Sequence, residues 1–441
     1  MNLELILKGA RRAEHPDRLV DIGIAGGSIV AVAPDLDAPA RTIELGGRLV
    51  SPGFVETHIH LDKSCILDRC RGSGDLNAAI AEVAALKEDF TVDDVYARAC
   101  RTVEKCLLQG TTHMRTHLEI DPVIGLRGFE AVMRVVEDYA WAIDIEVCVF
   151  PQEGLLNNPG TDELLVRAME RGAHLIGAAP YVDSDPHGQI DRIFELARRF
   201  DTAIDMHLDF GTDGSVLDLD HVCELTERYG RGGRVAIGHV TKLAHVVPDR
   251  FAQAAKRMAD AGVALTVLPA TDLFLMGRDR DHARTRGVTH AHELLHAGVN
   301  CSLSTNNVLN PFTPFGDCSL VRMANLNANI CHISGEADTA ACFDMVTTRS
   351  ARLMNIAGYG LEPGCRADLV VIDATGKRDA VAELAPVLMA FKNGRRTLTR
   401  EAARLHLPGA ADTGADREVD QRADQGADQG AHQVTHQGAG R

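Results

Sequence analysis

Residues 51–63, SPGFVETHIHLDK, decide the fold. The Pro52-Gly53 pair reads as a turn feeding a short strand that ends in His58-Ile59-His60. Successive strand side chains point to opposite faces, so His58 and His60 project to one side while Ile59 faces the packing behind them. Two imidazoles one pleat apart can grip a single divalent cation. An isolated pair of this kind also suits half-buried histidines bonded to backbone, so the reading rests on what surrounds it.

The chain beyond this strand is regular. Thr91-Val92-Asp93-Asp94 reads as the cap of a helix running through VYARACRTVEKCLLQG and stopping at Gly110. The runs THMRTHLEI, IEVCVFPQEG, HLIGAAPYV, AIDMHLDF, VAIGHVTK, VALTVLPATD and VNCSLSTNN come next, separated by helical stretches. With FVETHIH they make eight strands. Alternation of strand and helix implies a parallel sheet, and eight units imply a closed (β/α)8 TIM-type barrel over residues 51–355, an α/β fold. Such barrels carry their active sites at the C-terminal ends of the strands. Those ends hold His113 and His117, Gln152, His207 with Asp209, His239, Asp272, and Thr305-Asn306-Asn307.

On either side the pattern turns to short strands. LELILKGA, VDIGIAGGSIVAVAP and TIELGGRLV precede the barrel, and ADLVVIDAT and VLMAFKNGRRT come after it. Residues 1–50 and 356–403 are therefore expected to build one small β-sandwich domain from both ends of the chain. From 404 the sequence is polar, Gly/Gln-rich and repetitive, so residues 404–441 read as a disordered low-complexity tail whose truncation should be tolerated. His432 and His436 there read as incidental.

Composition narrows the partners. A net charge of −16 over 441 residues argues against a nucleic-acid polymer or an anionic membrane as ligand, and leaves a small polar molecule in a pocket. The eleven cysteines are scattered singly, as expected of reduced thiols in a cytoplasmic protein. MNLELILKG carries Glu4 and Lys8 inside its apolar run and is not expected to be a signal peptide. A homo-oligomer is compatible with all of this.

Histidines at the ends of the first, fifth and sixth strands are hard to explain by packing alone. His58, His60 and His207 are the expected nitrogen ligands of one divalent metal ion, which would lower the pKa of a bound water. His239 is placed to orient that water or the substrate. A second metal would need a bridging group such as a modified lysine, and the fourth strand, HLIGAAPYV, has none.

Taken in order, SPGFVETHIHLD, THMRTHLEI, VFPQEGLL, AIDMHLD, IGHVT and NNVLNPFTPFGD resemble the amidohydrolase superfamily, and within it the cytosine deaminase-like group, over residues 40–395. The resemblance implies zinc or iron as the metal and hydrolysis of a C–N bond in a small nitrogen heterocycle. It implies that Gln152 reads the edge of the ring, with His117 and Phe210 on the substrate side. Two positions depart from the group's pattern. Phe210 stands where a Glu normally moves protons, and Asp209 could substitute for it. Asn306 stands where an Asp binds metal and takes a proton; an amide can ligate through oxygen but is no base. The proton would then pass to Asp272, Asp62, Asp209 or His239. The alternative is a degenerate barrel that binds metal or a heterocycle without turnover.

Overall fold

The structure is a computed structural model that describes residues 2–72, 74–401, 403–405 and 417–418. Eight parallel strands form the central barrel: β1 Phe54–Ile59, β2 Thr111–Glu119, β3 Asp144–Phe150, β4 Leu175–Ile176, β5 Ile204–Leu208, β6 Val235–His239, β7 Val263–Val267 and β8 Cys301–Leu303. Each pairs with its successor. The ring closes just past β8, where Asn306 N donates to His58 O at 2.9 Å and His60 N to Asn306 O at 3.1 Å. Every residue of β1 and β2 is buried, because one face meets the barrel interior and the other the helices outside.

The helix Val92–Leu107 shows why the outer layer forms. Thr91 caps it, its hydroxyl accepting from Asp94 N at 3.2 Å, a contact worth about 1 kcal/mol. Val95, Ala99, Val103 and Cys106 fall on one face and are buried. The expected fourth strand is cut to two residues, and its chain then turns through a short 3-10 helix, Pro180–Val182. At Gly177 an added Cβ would sit 2.3 Å from Asp205 O, so only glycine allows the neighbouring backbone this close. Likewise β7 stops at Val267, and Asp272 lies in a helix, Pro269–Leu275, whose first residue is a proline.

Polarity rises along the barrel axis. The lowest interior level is apolar, with Val55, Ala236 and Ala264 packed on Leu353 and Met354. Above it Thr57, Thr266, Ser302 and Ser304 share hydroxyl hydrogen bonds of 2.7–3.4 Å. The histidines come next.

The flanking strands form a separate eight-stranded sheet. Its order is Arg395–Thr399, Val387–Lys392, Leu369–Ile372, Leu49–Pro52, Leu5–Arg12, His15–Ala25 and Ser28–Ala33, with Arg41–Glu44 paired to Leu5–Arg12. Leu7, Ile22, Val50, Leu369 and Phe391 centre its own apolar core. It is tied to the barrel floor through Lys392, whose ammonium donates to Thr112 O (3.0 Å), Asp144 (2.9 Å) and Asp368 (2.8 Å).

Most of the tail expected over 404–441 lies outside the described residues, as do His432 and His436. Of the remainder, Arg404–Leu405 pairs antiparallel with Arg417–Glu418. Among the described residues no helix is long and apolar enough to cross a membrane, and all eleven cysteines are free.

Candidate metal centre and substrate recess

At the C-terminal mouth three imidazole nitrogens meet. His207 Nε2 lies 3.1 Å from His58 Nε2 and 3.1 Å from His60 Nε2, and all three residues are buried. Metal–nitrogen bonds of about 2.0–2.1 Å put neighbouring ligands roughly 3.0–3.4 Å apart, so His207 stands at ligand spacing from both neighbours. His58, His207 and His239 offer ligand atoms all within 4.8 Å of one another. Burial, then the positive ends of neighbouring groups, hold the pKa values of His58, His60 and His207 well below the ordinary histidine range. They are therefore neutral, as ligands must be. His60 Nδ1 is within 3.0 Å of His117 O, which fixes its ring and aims Nε2 at the centre.

His239 completes the rim. Its Nδ1 lies 2.6 Å from Asp272 Oδ1, which leaves Nε2 facing the mouth. Asp272 is fully buried, and burial raises its pKa despite the imidazole beside it. Asn306 Nδ2 sits 3.5 Å from His239 Nε2, while Asn306 Oδ1 is buried with no hydrogen-bond partner. That orphaned oxygen is available to a cation or a water. His239, Val240, Asp209 and Asn306 all have left-handed backbone, with φ of +70°, +49°, +48° and +62°. For non-glycine residues, above all the β-branched Val240, this costs of order 1–3 kcal/mol each.

A recess opens above the histidines, lined by Lys63, Gln152, Tyr181, Phe210, His239, Thr271, Asn306, Asn307 and Phe312 among others. It is narrow, about 10 Å³, and shares Leu76, Tyr181, Phe210, Leu275 and Asn307 with an outer vestibule of about 1310 Å³. Phe210 puts its ring edge against His239, the centroids 5.0 Å apart. No carboxylate lines the recess among the described residues.

Two other expected site residues face elsewhere. His117 stacks on His58 with centroids 3.8 Å apart and has Nε2 3.5 Å from Asp205 Oδ1. It thereby backs His58 rather than lining the recess. Asp209 accepts from Asp218 N and Leu219 N, both at 3.0 Å, and pairs with Lys242 at 3.1 Å. Its left-handed backbone breaks strand alternation, so its carboxylate braces the following loop. Asp62 accepts from Glu119 N at 2.8 Å; burial, then the charge of Glu119, push its pKa up to about 6.

One buried network escapes sequence reading. Lys63 Nζ contacts Glu119 Oε1 at 2.5 Å and Gln152 Oε1 at 3.3 Å, and lies 4.2 Å from the centre of the Phe312 ring. Glu119 Oε2 pairs with Lys87 at 2.6 Å, and Lys87 also holds Asp121 (2.8 Å) and Glu153 (2.5 Å). Burial alone would raise the Glu119 pKa, but the two ammonium groups overcome it and lower the value. Strand alternation does carry a hint of Glu119, two residues after His117. Lys63 lies beyond the strand, where no periodicity gives its direction.

A closed parallel barrel whose strand ends bring three neutral histidines to one point defines a metal-dependent hydrolase by architecture and donor set. A family model described as "Amidohydrolase family" matches residues 86–397, and the chain belongs to that family of hydrolases acting on non-peptide C–N bonds. The chain is 27% identical over 405 residues to an N-isopropylammelide isopropyl amidohydrolase of Pseudomonas sp. (strain ADP), covering 89% of this chain and 97% of the relative. It is 30% identical over 363 residues to a pterin deaminase of Rhizobium rhizogenes, covering 80% and 82%. The solved structure of 5-methylcytosine deaminase from Klebsiella pneumoniae with 5-fluorocytosine superposes with a TM-score of 0.87 at 28% identity, covering 91% and 99%.

Proposed function

We propose that this protein uses one divalent cation, zinc or iron, held by His58, His60 and His207 with Asn306 Oδ1 as a neutral fourth donor, to hydrolyse a C–N bond of a small nitrogen heterocycle. The observation that carries the reading is the approach of His207 Nε2 to within 3.1 Å of both His58 Nε2 and His60 Nε2, all three residues buried. When bound, the cation would supply Lewis acidity and lower the pKa of water.

The chain's own groups do the rest. His239, with Asp272 at Nδ1, turns Nε2 towards the recess and Asn306 Nδ2, where it can take a proton, and Asp272 stabilises the imidazolium that results. Phe210 and Phe312 wall the recess with apolar surface and exclude water around a planar ring. Gln152 contacts the ring edge. Asp209 and His117 act as positioning residues, through the loop after β5 and through His58 respectively. The barrel residues 51–355 carry the chemistry and the terminal sheet supports their floor.

A second reading, binding without turnover, is favoured by the lack of any lining carboxylate at positions 210, 306 and 307. Metal analysis of the purified protein, followed by a screen of heterocycles for released ammonia or amine, separates the two. One bound metal with release supports the hydrolase. Tight ligand binding with no release, in wild type and in a Phe210→Glu/Asn306→Asp double variant alike, supports the binding barrel.

A further inference from the structure

The vestibule outside the recess is far larger than a small ring needs. The recess by the histidines is narrow, whereas the vestibule's 1310 Å³ exceeds the roughly 300–1000 Å³ that drug-sized ligands fill. The two spaces share Leu76, Tyr181, Phe210, Leu275 and Asn307, so a molecule seated in one can extend into the other.

The charge of the vestibule runs against that of the chain. The protein carries −16 overall, yet four arginines and only two aspartates line this space. Asp75 caps its own helix, accepting from Ala78 N at 2.9 Å, and Asp279 lies 3.9 Å from Arg280. Arg322 is balanced by Asp317 at 2.9 Å. Arg284 and Arg286 are different. Arg284 Nε donates to Arg280 O at 2.7 Å, and Arg286 Nη1 donates to Ile330 O and to His332 Nε2. None of these acceptors is a carboxylate, and among the described residues neither guanidinium has one within ion-pair distance.

The loop that carries both arginines is pinned at its base. At Gly277, φ +67°, an added Cβ would lie 2.8 Å from Thr285 O; at Gly287, φ +62°, it would lie 2.1 Å from Met276 Cγ. Only glycine lets the two ends close this tightly. Between them Arg278 is fastened to Phe274 O (2.8 Å) and Gly74 O (2.6 Å), with its guanidinium over the Phe274 ring. Phe274 meets Phe315 edge to face, the centroids 6.0 Å apart, and Phe315 is 64% exposed. Apolar shelf and unbalanced guanidinium charge thus share one space, the combination that suits an amphiphilic anion.

We infer that the vestibule is a second binding subsite, for an anionic arm on the substrate: a carboxylate or phosphate joined through an apolar spacer to the ring in the recess. The spacer lies on Phe274 and Phe315, and the acid group takes the forked donors of Arg284 and Arg286. The inference rests on the hydrolase reading for the ring, and on the vestibule alone for the arm.

The test is binding of ring-free arms, read by calorimetry on the full-length, metal-loaded protein in low salt. Benzoate and phenyl phosphate are compared with benzamide, a neutral probe with the shape of benzoate. At least one anion should bind more tightly than benzamide by about fivefold or more, and whichever does names the acid group. High salt should shrink that advantage. Arg284→Gln/Arg286→Gln should abolish it while benzamide binding stays, because the shelf is untouched. An anion held by the metal instead would keep its advantage in that variant. Arg228→Gln, which removes one charge from the outer helix Leu219–Arg228, should change nothing. Equal binding of all three probes by the wild type, no binding of any at millimolar concentration, an unchanged advantage in the double variant, or the same loss in Arg228→Gln would each overturn the inference. An arginine-dependent advantage in a protein that releases no amine from any heterocycle would sink the hydrolase reading and leave this one standing. Turnover of bare rings with no anion advantage would do the reverse.

Discussion

The two ends of the barrel each gather groups whose ligand atoms lie within 4.8 Å of one another, yet they are different kinds of site. At the floor His113 meets Asp144 and Asp368 at 3.3 and 3.7 Å. Lys392 and Arg366 already neutralise both carboxylates, at 2.8–3.1 Å. At the mouth His58, His60 and His207 have one another and no ion pair of their own, Asp205 pairing with His117 and Arg115 instead, and Asn306 Oδ1 has no hydrogen-bond partner. Proximity of ligand atoms is thus a poor guide by itself. A cluster whose charges are balanced by the chain is a clamp, and one whose lone pairs are left over is a receptor.

The largest effect should separate the two ends directly. His207→Ala should lower metal affinity by more than about 100-fold, while His113→Ala keeps one metal per chain, as read by elemental analysis. Metal loss in the floor variant, or retention in the mouth variant, would invert the comparison. Lys392→Met tests the clamp. It leaves Asp368 buried without its ammonium and should cost about 3 kcal/mol in chemical denaturation, with metal content unchanged.

Smaller effects sharpen the contrast. Asn306→Asp places a negative charge beside the cation and should raise metal affinity by roughly tenfold in competition with a chelator. Identical affinity would show that position 306 does not touch the metal. The smallest expected effect belongs to Glu153, in the network behind the recess. Burial, then the charge of Glu119, raise its pKa from 4.5 to about 8, although Lys87 is adjacent. A carboxyl with a raised folded-state pKa holds its proton more tightly folded than unfolded. Its contribution is therefore complete below pH 4.5 and lost as pH rises towards 8. Glu153→Gln should remove that loss, so its melting temperature relative to wild type should improve by roughly 2 °C between about pH 6 and about pH 9. A flat difference across that range would mean Glu153 is already ionised at its lower end.

How much of this the sequence carried depends on whether a residue sits inside a regular element. His58, His60 and His207 were readable because strand alternation and barrel topology fix both direction and destination. Thr91 was readable because a cap is a local device. Asp209 lies one step beyond β5, where a left-handed residue cancels the alternation. Lys63 lies past the end of β1, and its direction is set by Glu119, 56 positions later. The orientation of the Asn307 amide depends on Asn310, and that of Asn310 on two backbone amides that only the folded loop supplies. The fold and the convergence of the histidines are pattern; the wiring behind the recess is tertiary.

The left-handed residues at the strand ends have a further consequence, for the timing of recognition. Asp209, His239, Val240 and Asn306 hold unfavourable conformations, and the hydrogen bonds of the surrounding barrel keep them there. The strain is met once, when the chain folds, and not again each time a ligand arrives. A small rigid ring has few contacts with which to reorganise a site. It would meet imidazoles whose backbone supports already stand in place, so that part of the site should add little entropy penalty.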